Sequence, residues 1–182
     1  MELIAEPMEG LKILKLRRFD DDRGYFMESY NRRDFLNCGI DVNFVQDNCV
    51  MSHKNVVRGL HCQIQPYEQG KLVSCVRGSG LDVAVDLREE SPTFLQHHSV
   101  ELTDSNDTIF WIPKGFAHGY AVRSGIAVVN YKCDEFWMPD SEWGILWNDS
   151  ALGIEWDVEN PIVSDKDLSF AELDPVGMGW VG

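Results

Sequence analysis

The sequence predicts an all-β fold, an antiparallel sandwich or jelly-roll barrel with a few short helices. Three observations predict it. Most of the chain alternates apolar and polar residues at period two, and Val, Ile, Phe and Tyr dominate those runs. Turn residues recur about every eight to twelve positions, the rhythm of a many-stranded β domain.

The elements follow in chain order. The charged turn Asp20-Asp21-Asp22-Arg23-Gly24 leads into a strand over 25–30. A short helix is expected over 31–38, capped by Asn31 and stopped by Gly39. Strands are then expected over 43–52, 56–63, 71–77, 81–87, 108–112, 118–123 and 126–132. Gly78-Ser79-Gly80, Ser91-Pro92, Pro113-Lys114-Gly115 and Ser124-Gly125 are among the turns between them. In 81–87, Leu81, Val83, Val85 and Leu87 alternate with Asp82, Ala84 and Asp86, the pattern of a half-buried strand. A second helix is expected over 165–173, capped by Ser164 and stopped by Pro175. The tail after about residue 140 carries Trp143, Trp147 and Trp156, so it should pack on the barrel. With no repeat and no linker-like stretch, residues 1–182 read as one domain.

Composition narrows the function. Sixteen basic residues face thirty acidic ones, a net charge of −14. That balance argues against nucleic acid and against anionic membranes, both of which need basic surface. It leaves room for a small anionic ligand, which senses only the charges of its pocket. No apolar run approaches the roughly 20 residues of a membrane span, and the acidic, proline-broken N-terminus is not a signal peptide. The five cysteines show no CxxC pair and no zinc spacing, which reads as free thiols in a reducing cytoplasm. A chain of this length buries roughly 70% of its unfolded surface and needs neither disulfides nor metal to fold.

Few residues stand out for chemistry. His61 lies in Arg58-Gly59-Leu60-His61, inside a strand. Glycine within a strand suggests a bulge, and a bulge would turn Arg58 and His61, which have opposite parity, toward the same cavity. Burying both without an anionic partner is costly. His118 follows Gly115-Phe116-Ala117 and reads either as an exposed strand-end residue or as part of a site. His53, His97 and His98 read as surface residues. Tyr131 ends an apolar strand and serves either packing or proton donation. Lys71 shares the inner face with Val73 and Cys75, either snorkelling at the barrel mouth or holding an anion. Asp165, Lys166 and Asp167 occupy the first turn of the second helix, where acids suit the dipole. A metal cupin would want an H-x-H pair, but the candidate strand reads His61-Cys62-Gln63. There is no phosphate-binding glycine loop, no GxSxG and no dinucleotide fingerprint.

Taken in order, FDDDRGYFMESY (19–30), FVQDNCVMS (44–52), VVRGLHCQ (56–63), KLVSCVRGSGLDVAVDLREESPTF (71–94), FWIPKGFAHGY (110–120), NYKCDEFWMP (130–139), WND (147–149) and IVSDKD (162–167) resemble the dTDP-4-dehydrorhamnose 3,5-epimerase family of nucleotide-sugar epimerases. The resemblance implies a cupin-type jelly roll and catalysis without metal or organic cofactor. It also implies a homodimer in which an N-terminal segment reaches into the neighbour's barrel. It matches His61 to the general base and Asp167 to the residue that orients it. Tyr131 matches the general acid on the opposite face of the sugar, and Lys71 the residue near the C4 oxygen. Arg23, Glu28, Gln46, Asp47, Asn48, Arg58, His118, Glu142 and Lys166 match positions lining the nucleotide-sugar site, with Arg23, Arg58 and Lys166 as pyrophosphate partners.

The implied reaction inverts C3 and C5 of dTDP-4-dehydro-6-deoxy-D-glucose through an enolate. Two departures from the family pattern stand out. Cys62 takes the place of an aromatic after RGLH, and Glu135-Phe136-Trp137 replaces a more tyrosine-rich run near the nucleotide base. Cys62 should face away from His61. The alternatives are inversion at one carbon only, another nucleotide 4-ketosugar as substrate, a non-catalytic sugar-nucleotide-binding cupin, and a metal-dependent cupin.

Overall fold

The structure is a computed structural model and describes residues 1–173. Its strands are β1 (Glu2–Met8), β2 (Leu11–Lys15), β3 (Arg18–Asp21), β4 (Gly24–Met27), β5 (Gln46–His53), β6 (Val57–Gln63), β7 (Lys71–Arg77), β8 (Ser79–Asp86), β9 (His97–Thr103), β10 (Thr108–Ile112), β11 (Phe116–Val122), β12 (Ile126–Cys133) and β13 (Glu142–Gly144). Helix α1 (Arg32–Asn37) follows β4, and α2 (Asp165–Leu168) lies near the C-terminal end. A six-stranded sheet runs β1-β2-β10-β7-β12-β5 and faces a five-stranded sheet, β13-β6-β11-β8-β9; β3 and β4 form a separate hairpin. The pairings between these strands are antiparallel, so the fold is the jelly roll that the alternation predicts.

Apolar side chains fill three layers. Between the sheets, Leu11, Val73, Phe110, Ile112 and Val129 of the larger sheet meet Ala84, Leu102, Tyr120 and Val122 of the smaller. The outer face of the smaller sheet carries Val57, Leu60, Val83, Val85 and Ala117, covered by Ile145, Leu152 and Trp156 of the tail, as its tryptophan content predicts. The outer face of the larger sheet is covered by Phe35 and Ile40, which pack on Leu14, Leu72, Ile109 and Trp111. Each fully buried Val, Leu, Ile or Phe side chain contributes about 1.5–3 kcal/mol to this arrangement.

The local signals explain the helices. Asn31 accepts the Arg33 amide as N-cap of α1. Gly39 then takes a left-handed φ of +74°, and the Ile40 amide returns to the Phe35 carbonyl to close the helix. Helix α2 is shorter than the expected 165–173, ending at Leu168 with the Ser169 amide on the Lys166 carbonyl. Ser164 caps it as expected, by accepting the Asp167 amide. Pro175, the expected stop, lies outside the described residues.

The structure corrects the reading of 81–87. Rather than one solvated face, Leu81, Asp82, Val83, Ala84, Val85, Asp86 and Leu87 are all buried. Strand β8 lies within the smaller sheet, with the barrel interior on one face and the tail on the other. The strand predicted over 25–30 is confined to Gly24–Met27, paired with β3.

Candidate active site

A cavity of about 490 Å³ opens between the two sheets. The smaller sheet contributes Arg58, His61, Gln63, His118, Tyr120 and Glu142; the larger contributes Gln46, Asn48, Lys71 and Tyr131.

Gly59 makes the first part of this arrangement. Strand β6 pairs His61 with His118 and Arg58 with Tyr120, so three steps on one strand match two on the other. That is the bulge inferred from the glycine, and it places Arg58 and His61 on one cavity wall. Gly59 has φ +119°, and a Cβ there would stand 2.6 Å from the Gly119 Cα. No larger residue fits without moving backbone. Cys62 packs in part against the outer layer, but it also lines the cavity beside His61, so the expectation that it faces away from His61 does not hold in full. Burial pushes its thiol up to about 12, with Lys71 only partly opposing this, so it is an inert thiol.

His61 Nε2 lies 2.8 Å from Asp167 Oδ1. Asp167 is buried, and its Oδ2 accepts the Gly59 amide at 3.2 Å. Burial raises the Asp167 carboxyl, but the hydrogen bonds from His61, Gly59 and the Ser164 cap outweigh it and leave the group below the usual aspartate range. With a carboxylate accepting at Nε2–H, Nδ1 is the basic nitrogen. The Phe170 ring meets the imidazole edge-on, 5.6 Å between centroids and 72° between planes. Gly144 makes room for it, since a Cβ there would lie 2.6 Å from Phe170 Cε2.

Across the cavity, burial lowers the pKa of Lys71 and raises that of Tyr131. Among the described residues Lys71 and Arg58 have no carboxylate within ion-pair distance. Arg58 instead gives its Nε–H to Ser52 at 3.0 Å.

His118 is buried, not exposed at a strand end, with its Nε2 2.9 Å from Asp82 Oδ1. The sequence reading missed Asp82, because strand alternation assigned it to a polar face. Of the histidines assigned to the surface, His53 is exposed, while His97 and His98 are half-buried.

The remaining candidates divide. Gln46 accepts the Trp137 amide and donates to Asn48; Asn48 donates to Cys133 Sγ. Gln63, which the sequence reading did not single out, accepts the Met138 amide and donates to the carbonyls of Tyr67 and Phe136. These contacts fix the segment that carries the exposed Phe136 and Trp137 on the cavity wall. Glu142 accepts Trp137 Nε1–H at 3.1 Å and pairs with Lys166. Burial raises the Glu142 carboxyl, but these two hydrogen bonds bring it below its usual value.

Asp47, Arg23, Glu28 and Lys166 do not line this cavity; Lys166 reaches it only through its ion pair with Glu142. Asp47 pairs with Lys132 at 2.8 Å and lines a second groove of about 290 Å³, between β4 and the outer face of the larger sheet. Arg23 sits on the β3–β4 turn, its side chain 89% exposed and paired with Asp21. Glu28 accepts from Asn31. Among the described residues no three His, Cys, Asp or Glu side chains are grouped to hold a metal ion, and no helix is long and apolar enough to cross a membrane.

Comparison with known proteins bears on this geometry. The family model described as dTDP-4-dehydrorhamnose 3,5-epimerase matches residues 5–174. The dTDP-4-dehydrorhamnose 3,5-epimerase of Shigella flexneri is 48% identical over 170 residues, 93% of this chain and 94% of that protein. The crystal structure of the same enzyme from Bacillus anthracis str. Ames, with TDP and PPi bound, superposes with a TM-score of 0.93 at 42% identity, covering 94% of this chain and 99% of that one. The dTDP-6-deoxy-D-glucose-3,5-epimerase of Legionella pneumophila Philadelphia 1, in complex with dTDP-4-keto-L-rhamnose, gives 0.92 at 42% identity, covering 97% and 94%.

Proposed function

The chain belongs to the dTDP-4-dehydrorhamnose 3,5-epimerase family, and we propose that it inverts C3 and C5 of dTDP-4-dehydro-6-deoxy-D-glucose to give dTDP-4-dehydro-L-rhamnose, in dTDP-rhamnose biosynthesis. The observation that carries the reading is the placement of His61 and Tyr131 on opposite sheets across one cavity. Inversion needs a base on one face of the sugar ring and an acid on the other.

The C4 ketone acidifies the hydrogens at C3 and C5. His61 Nδ1 removes one of these protons, and the electron pair moves into the C3–C4 or C4–C5 bond as the C4 oxygen becomes an enolate. Asp167 holds the imidazole in one tautomer and stabilises its charged form. Lys71 faces the C4 oxygen. The burial that disfavours its lone ammonium makes an enolate beside it a strongly preferred partner. Tyr131 returns a proton from the other face, and the ketone re-forms with the centre inverted. Its buried phenol stays protonated until the carbanion needs it. The chemistry runs on these side chains with no metal or organic cofactor.

Arg58 and Lys166 hold the pyrophosphate, and Gln46, Asn48, His118 and Glu142 line the nucleotide-sugar site. The β3–β4 hairpin extends Phe19, Tyr25 and Phe26, 47%, 53% and 69% exposed, with Arg23 at its turn. This supports a homodimer in which the hairpin brings Arg23 and Glu28 to the partner's cavity, with Asp47 beside that interface. The protein works as one jelly-roll domain in the cytoplasm. The test is a coupled assay: with the dTDP-4-ketosugar, a 4-ketoreductase and NADPH, the protein supports NADPH oxidation and an L-configured product. No product with active reductase and intact substrate would overturn the reading.

A further inference from the structure

Tyr120 and Ser52 carry a contact that the reaction does not use. Ser52 lies on β5 of the larger sheet and Tyr120 on β11 of the smaller. Their hydroxyls share a hydrogen bond of 3.0 Å across the barrel, and Ser52 Oγ also accepts the Arg58 Nε–H at 3.0 Å. Both hydroxyl residues are buried, at 2% and 5% exposure, whereas Arg58 is exposed at the cavity.

This geometry matters because of how a guanidinium works. Arginine has five N–H donors in a fixed plane; holding Nε leaves the two terminal nitrogens as a fork that matches two oxygens of a phosphate. A free arginine side chain gives up about 2 kcal/mol of rotamer freedom when it is fixed. Anchoring it before the ligand arrives removes part of that cost from binding. Ser52 alone is an adjustable anchor, since its hydroxyl rotates. Tyr120 pairs with Arg58 in register on the neighbouring strand and fixes the hydroxyl that Arg58 uses.

We infer that Tyr120, acting through Ser52, is a positioning residue that pre-orients Arg58 to receive the diphosphate of the nucleotide sugar. The inference rests on the reading of the cavity as a dTDP-sugar site. It predicts that Tyr120 affects ligands that carry the diphosphate and leaves the ring chemistry to other side chains.

Calorimetry with dTDP tests it, using the parent protein, Tyr120→Phe, Arg58→Gln and the double variant. Tyr120→Phe removes one hydroxyl and keeps the ring. It should weaken dTDP binding about three- to tenfold, as expected for one lost hydrogen bond. Thymidine binding should change less than twofold. The Tyr120→Phe effect should vanish when Arg58 is already Gln, because no guanidinium remains to orient. In turnover, the loss should fall on KM more than on kcat. Ser52→Ala, a second route to the same end, should lose dTDP affinity at least as much. Equal dTDP affinity in parent and Tyr120→Phe would overturn the inference, as would a full Tyr120→Phe loss on top of Arg58→Gln. If the parent protein fails to bind dTDP, the reading of the site falls first, and this inference with it.

Discussion

His61 and Asp167 stand 106 positions apart in the chain, yet the imidazole Nε2 lies 2.8 Å from the carboxylate Oδ1. The tail makes this contact. It crosses the outer face of the smaller sheet, buries Ile145, Leu152 and Trp156 there, and brings α2 against β6. The parallel bridge between Val56 and Ile162 and the Leu146 amide on the Ala171 carbonyl fix the path on either side. Positioned acid–base groups contribute about 10²–10⁴-fold each. His61→Ala should therefore abolish measurable turnover, with circular dichroism and melting temperature close to the parent. Asp167→Asn should lower kcat by about a hundredfold or more, since it leaves the imidazole without its charge partner. Near-parent turnover in either variant would refute the pairing as catalytic machinery.

Tyr131 should separate proton removal from inversion. In Tyr131→Phe the base survives and the acid does not, so substrate hydrogen should still exchange with solvent deuterium while inversion falls steeply. Proton NMR of the recovered sugar reads both. Loss of exchange along with inversion would mean that Tyr131 takes part in proton removal.

Phe170 offers a finer test of how the base is held. Aromatic edge contacts contribute about 0.5–1.5 kcal/mol, so Phe170→Ala should reduce kcat about two- to tenfold, and Phe170→Tyr should restore most of it. Gly144→Ala should be worse than either. Its Cβ meets both Phe170 and the Leu60 carbonyl oxygen at about 2.5 Å, so the strand or the ring must move. Chemical denaturation and steady-state kinetics on the three variants check the order.

Asp86 ties the loop after β8, and its ionisation should make part of the fold's stability depend on acid pH. It accepts from Arg88, Ser91 and Thr93, with Arg88 stacked on Phe116. Burial raises the carboxyl, but these bonds outweigh it and hold it at about 2. A folded pKa below the unfolded value stabilises above the unfolded pKa, and the stabilisation fades as pH falls through the folded one. Asp86→Asn should cost about 2 kcal/mol near neutrality, and the gap to the parent should close between about pH 4 and about pH 2. Urea midpoints across that range measure it; a gap independent of pH would contradict the assignment.

Strands with clear alternation and flanking turns, β5 to β8 and β10 to β12, were legible from the residues alone. Strands β1, β2, β3 and β9 were not. Six of the seven β1 residues are exposed or half-buried at the sheet edge, and HHSVELT in β9 offers only Val100 and Leu102 as buried anchors. Strand β13, three residues long, has no room for a period. In the site, Gly59 announced the bulge that aligns Arg58 with His61. Asp82 was hidden because alternation assumes one wet face, whereas β8 is covered on both, so the strand's polar position is a buried partner for His118. The link from His61 to Phe170 had no local signal, because it depends on where the tail runs. Asp167 emerged only through the family resemblance, since from its own neighbours it reads as a helix-capping acid.

Incubation with dTDP-4-dehydro-6-deoxy-D-glucose in deuterium oxide, followed by NMR of the sugar, tests the central claim most directly. The proposed double inversion predicts deuterium at both C3 and C5, and the L-configured product when a 4-ketoreductase traps it. Deuterium at one carbon alone would restrict the protein to a single inversion. Absence of deuterium from both, with the substrate bound, would contradict the account.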